Sequence, residues 1–81
     1  MNSLSTQLQV KLISTSACHL CDEAEAILHH AGINISKLDI LDEDKLFDKY
    51  SLRIPVLKRF DNGEELDWPF DTASVLRFLI V

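Results

Sequence analysis

Leu8, Val10 and Leu12 alternate with Gln9 and Lys11, and Ile13 closes the run. This period-two pattern predicts a strand buried most deeply toward its C-terminal end. Leu20, Ala24, Ile27, Leu28 and Ala31 then recur at helical spacing, with Asp22, Glu23, Glu25, His29 and His30 mostly on the other side. Gly32 is placed to end that helix in a left-handed conformation. Ile33 and Ile35 are out of phase with Leu38 and Ile40, which predicts a second strand with a kink or bulge near Ser36-Lys37. Asp42, Glu43 and Asp44 suit a helix N-terminus, and Leu46, Phe47 and Tyr50 make the apolar face of a short helix that breaks over Ser51 to Ile54.

Two further runs, Pro55 to Phe60 and Glu64 to Trp68, flank Asp61-Asn62-Gly63 and read together as a hairpin, because Asn-Gly readily adopts positive φ angles. Pro69 ends or edges the second of them. Asp71 or Thr72 caps a last helix whose buried stripe is expected to be Val75, Leu76, Leu79 and Ile80. The aromatics Phe60, Trp68 and Phe70 are read as core. The order is thus β-α-β-α-β-β-α. Right-handed crossover makes the first two strands parallel neighbours and the hairpin makes the last two antiparallel, so the expected class is α/β with a mixed four-stranded sheet covered by helices.

Composition narrows the class without changing it. Eighty-one residues, 47% of them hydrophobic and with only two Gly and two Pro, describe one ordered domain. Thirteen acidic against eight basic residues leave a formal charge of -5, no footing for a nucleic-acid backbone or an anionic membrane surface. Residues 1–7 are read as a tail lacking the basic and apolar regions of a secretory signal, and no apolar run approaches the length of a membrane span. The domain is expected over residues 8–81, as a monomer in the cytoplasm, where thiols are kept reduced.

The chemistry concentrates in Cys18-His19-Leu20-Cys21, which holds both cysteines of the chain between the first strand and the first helix. In this setting a C-x-x-C pair reads as a redox motif. One thiolate attacks a partner disulfide; the second, one helical turn on, attacks the mixed disulfide that results. Cys18 falls at or before the first helical turn, where unpaired N–H groups and the helix dipole favour a thiolate, so Cys18 is assigned as the attacking thiol. Cys21, deeper in the helix, is the resolving thiol. Asp22 and Glu23 oppose the thiolate, and His19 either adds positive charge near it or is an exposed spacer. His29 and His30 lie about 12 Å from Cys21 at 1.5 Å per residue, too far to close a zinc site with the pair, so no metal ligand set is assigned. Asp39 to Asp44 is read as a solvated acidic face. Arg53 and Lys58-Arg59 either steer anionic partners or supply surface charge on an edge strand.

Cys18-His19-Leu20-Cys21-Asp22-Glu23-Ala24, Arg53-Ile54-Pro55-Val56 and Leu66-Asp67-Trp68-Pro69-Phe70-Asp71 together resemble the glutaredoxin-like family of the thioredoxin-fold superfamily, a small domain formerly of unknown function. The resemblance covers residues 8–81 and implies a thioredoxin-like, glutaredoxin-sized fold. It further implies that Pro55 is cis and lies against the cysteine pair, and that the backbone of Ile54 is left free to pair with an extended substrate. On this basis His19, Arg53, Ile54 and Pro55 are the candidate substrate-binding residues beside the catalytic Cys18 and Cys21. Three positions depart from typical glutaredoxins. His19 stands where proline is usual, Thr15 where a basic residue precedes the pair, and Trp68-Pro69-Phe70-Asp71 replaces a Gly-Gly and acidic cap. Each departure removes a piece of the usual glutathione site.

The expected activity is that of a small dithiol disulfide oxidoreductase. It holds no bound cofactor, its partner is a disulfide-containing protein or glutathione, and glutathione is also a candidate reductant. The alternative is a binding module of the same fold, holding a protein partner or a bridged metal or iron-sulfur cluster with little turnover.

Overall fold

The computed structural model describes residues 10–80; the tail over residues 1–7, Leu8 and Gln9 of the first strand, and Val81 lie outside the described residues. Strand β1 spans Val10–Ser14, helix α1 His19–His30, β2 Ser36–Asp39, a single 3-10 turn Ile40–Asp42, α2 Asp44–Tyr50, β3 Val56–Arg59, β4 Glu65–Asp67 and α3 Thr72–Ile80. The four strands form one sheet in the order β2-β1-β3-β4. β1 and β2 run parallel, and β1 with β3 and β3 with β4 run antiparallel, as the crossover and hairpin require.

Alternation along the central strands divides the core in two. Val10 and Leu12 of β1 and Leu57 of β3 face α1 and α3, where they meet Ala24, Leu28, Phe70 and Val75. Ile13 and Val56 face the other way and pack with Ile40 and Tyr50. The end of β1 is therefore buried on both faces, which explains why its C-terminal half reads as a continuous apolar run. No described helix is long and apolar enough to cross a membrane.

Four expectations about this architecture need correction. There is no bulge in the second strand: Ile33 belongs to the end of α1. Gly32, at φ +77°, donates its N–H to the His29 carbonyl, and Ile33 donates to that of Leu28, both at 3.0 Å. This is a Schellman ending, in which the residue after the glycine packs back on the helix. Ile33 does so, joining the cluster that contains Leu28, and the strand proper begins only at Ser36. The phase break between Ile35 and Leu38 is the boundary between a helix cap and a strand.

In the hairpin, only Gly63 takes a positive φ, +79°. Asn62 instead accepts the N–H of Glu64 on its side-chain oxygen at 2.9 Å, so the loop is longer than a two-residue Asn-Gly turn. In α3 the inward stripe is Val75, Phe78 and Leu79; Leu76 and Ile80 are exposed, one residue off the inward line. The Asp71 carboxylate accepts the N–H of Ser74 at 2.8 Å while Ser74 Oγ accepts the N–H of Asp71, a reciprocal cap of the kind expected at this end. Finally, Leu20 of α1, Phe47 of α2 and Phe60 of the hairpin loop are exposed where apolar faces or core were expected.

Candidate functional site

β1 ends at Ser14 beside two neighbours. The parallel register sets Ser14 opposite Asp39, and the antiparallel register sets Ile13 opposite Val56, which brings Pro55 to the level of Ser14. The chain leaving β1 is pinned at once: Thr15 Oγ1 donates to Asp39 Oδ1 at 2.9 Å, and the same oxygen accepts the N–H of Leu41. Ala17 then adopts φ +54°, a left-handed conformation unusual for a residue with a Cβ. This reversal delivers Cys18 to the N-cap of α1 with extended backbone.

Cys18 and Cys21 are joined in a disulfide, with Cα atoms 5.2 Å apart. Cys18 is half-buried and Cys21 is 1% exposed, so only the first sulfur is approachable. The backbone N–H of Cys21 donates to Cys18 Sγ at 3.1 Å. Sulfur thus occupies the place of an oxygen cap at the third N–H of the helix, and the donor that satisfies the cap also stabilises negative charge on that sulfur.

The remaining sequence candidates are placed as follows. His19 is 85% exposed, and its Nε2 lies 2.8 Å from Glu23 Oε2, one turn on. Pro55 is fully buried at the head of β3; the Ile54–Pro55 peptide is cis, as is Trp68–Pro69. The N–H of Ile54 is not free. It donates to the Tyr50 carbonyl at 3.0 Å in the turn that follows α2, so it is not available for strand pairing. Arg53 is turned inward to the sheet: its Nη2 donates to Glu65 Oε1 and Asp67 Oδ1, each at 2.7 Å.

Around Arg53 lies a polar cluster that the sequence reading passed over. Tyr50, 1% exposed, donates its hydroxyl to Glu65 at 2.5 Å and accepts Lys58 Nζ at 3.2 Å. Burial pushes the Glu65 carboxyl up, but the hydrogen bonds of Tyr50 and Arg53 and the charges of Arg53 and Lys49 outweigh it and hold the group down at about 2. Burial and the Glu65 hydrogen bond push the Tyr50 hydroxyl up. The carboxylates of Glu65 and Asp67 likewise push the Arg53 guanidinium up, securing its charge.

Nor does Lys58-Arg59 supply free charge on an edge strand, because β3 lies inside the sheet. Arg59 is buried; it holds Asp61 through Nε and Nη2, at 3.0 and 2.6 Å, and donates Nη1 to the Phe78 carbonyl. Its parity was the available signal: Arg59 shares the face of Leu57, two residues before it, and that face is core. Lys58 faces Tyr50 and pairs across the ladder with Glu65, a contact readable once the hairpin register is known.

Comparison with known proteins adds to this geometry. The glutaredoxin-like domain (DUF836) family model matches residues 9–80. This chain belongs to that family. Among solved structures, the glutaredoxin-like chain is similar to XcR50 of X. campestris, whose X-ray structure aligns with TM-score 0.78 at 38% identity over 86% of this chain and 93% of that one. The solution structure of XcR50 gives TM-score 0.76 over 88% and 91%. Protein Ne2328 of Nitrosomonas europaea shares the fold, with TM-score 0.68 at 22% identity over 88% and 89%. No curated protein matches the chain. The thioredoxin-like α/β fold expected from the sequence is that of this glutaredoxin-like family.

Proposed function

We propose that this glutaredoxin-like domain is a dithiol disulfide oxidoreductase working through Cys18 and Cys21. The observation that carries the reading is the asymmetry of the pair: an approachable Cys18 Sγ that accepts a helix N–H, joined to a Cys21 that is almost completely enclosed.

In the reduced protein the Cys18 thiolate attacks one sulfur of a partner disulfide. A Cys18–partner S–S bond forms, the partner's S–S bond breaks, and the leaving thiolate takes up a proton. Cys21, deprotonated, then attacks Cys18 Sγ, forms the internal disulfide and expels the second partner thiolate, which is protonated in turn. The domain loses two electrons, which the partner gains. A cellular thiol returns them, with glutathione one candidate; the setting proposed is the cytoplasm, where thiols keep the pair poised for reduction. Pro55 and the Ile54 carbonyl form the wall along which the partner backbone lies, and His19 borders the opening.

Titration against dithiothreitol redox buffers, with mass labelling of free thiols, tests this. A reversible transition in which Cys18 and Cys21 are labelled together, with two electrons exchanged, is the expected result. A pair that stays oxidised at every accessible potential, or labels as two independent thiols, overturns it.

A further inference from the structure

We infer that the site selects disulfides flanked by positive charge and discriminates against anionic ones, glutathione disulfide included. The inference rests on the redox reading above and names its substrate class. Carboxylates flank the segment that carries Cys18, on α1 after it and at the end of β2 beside Thr15. Asp22 lies one helical turn from it on the same face, with Glu23 beside Asp22, and both are exposed. Asp39 is hydrogen-bonded to Thr15, three residues before Cys18, and the exposed Asp42, Glu43 and Asp44 continue from it.

Most of the cations that would offset them are paired with other carboxylates. Arg53, at the same end of the sheet, spends its guanidinium on Glu65 and Asp67. Lys49 and Lys58 also lie near Glu65, so that cluster of three cations and two carboxylates keeps a net charge of only +1. Lys37 is paired with Glu25 and Arg59 with Asp61, while His19, a cation only when protonated, lies on Glu23, one of the carboxylates named above. Among the described residues at this end, Lys45, beside Asp44, and Arg77, whose charge reaches Asp71, have no ion pair, two cations against the six carboxylates named above. The N-terminus of α3, which follows β4 at this end of the sheet, already holds an anion of its own, the Asp71 carboxylate. A carboxylate-bearing disulfide therefore meets net negative potential, whereas an ammonium-bearing one is drawn in.

Reduced wild-type protein should be mixed in stopped flow with three small disulfides: cystamine (doubly positive), hydroxyethyl disulfide (neutral) and glutathione disulfide (doubly negative). Each rate is divided by that of dithiothreitol with the same disulfide, which removes differences in leaving group. At low ionic strength the normalised rate for cystamine should exceed that for glutathione disulfide by about tenfold or more, and the ratio should fall to within about twofold in 0.5 M KCl. Asp22→Asn combined with Glu23→Gln should shrink the low-salt ratio, in which any change in the Cys18 thiolate fraction cancels because it acts on all three disulfides alike. Equal normalised rates, a preference for glutathione disulfide, or a ratio indifferent to salt overturns the inference while leaving the redox reading intact. Failure of all three to oxidise Cys18 overturns the redox reading itself.

Discussion

The Cys21 backbone N–H reaches Cys18 Sγ at 3.1 Å, so the helix that buries one sulfur also caps itself with the other. A donor at this position favours the anion of the sulfur it touches, and enclosure of Cys21 disfavours charge there. Alkylation of the reduced protein with iodoacetamide at pH 7 is therefore expected to modify Cys18 at least about tenfold faster than Cys21, read by peptide mass spectrometry. Equal rates would show that the cap has no bearing on reactivity.

Glu65 links the acid stability of the domain to the segment that carries Pro55. Its folded carboxyl is held at about 2, below the ordinary value of 4.5. A depressed carboxyl contributes stability that is fully present above its unfolded pKa and is lost as the pH falls through the folded one. The contribution is thus complete above pH 4.5 and disappears toward pH 2, on the order of 3 kcal/mol for this shift in a side chain only 19% exposed. Urea unfolding of Glu65→Gln is expected to show a loss of about 2–3 kcal/mol at pH 7 and a flatter pH dependence between 4.5 and 2. A variant as acid-sensitive as the parent would assign that sensitivity to other carboxylates.

Arg59 joins β3 to the last turn of α3 through the Phe78 carbonyl while gripping Asp61. Arg59→Lys keeps the charge but cannot reproduce the fork that meets both Asp61 oxygens and the carbonyl. It is expected to lower the melting temperature by several degrees, and Arg59→Ala by more, whereas Arg77→Ala on the exposed face of α3 should change little. Calorimetry of the three variants checks the order.

The element order and the position of the cysteine pair were legible because each rests on local pattern. Alternation marks Val10–Ile13, helical spacing marks Ala24 and Leu28, and Gly32 and Asp71 carry their capping signals in the residues themselves. What was not legible depends on contacts between distant segments. Ile33 reads equally as strand or helix cap until the backbone of Gly32 fixes which. Leu76 and Ile80 are as apolar as Val75 and Phe78, and only the placement of α3 on Leu57 and Leu28 decides which pair faces in. The closeness of Cys18 and Cys21 was legible from their spacing, but the committed state of Arg53 and of the Ile54 N–H was not. Both depend on what Tyr50, Glu65 and Asp67 do after the chain has doubled back.

Disulfide exchange with unequal roles for the two sulfurs is tested most directly by single-cysteine variants. Cys21→Ser and Cys18→Ser, each reduced, are incubated with a protein disulfide and analysed by non-reducing electrophoresis and mass spectrometry. The account expects Cys21→Ser to accumulate a mixed disulfide through Cys18 and Cys18→Ser to form none under the same conditions. Equal adduct formation by the two variants, or an adduct through Cys21 alone, would contradict it.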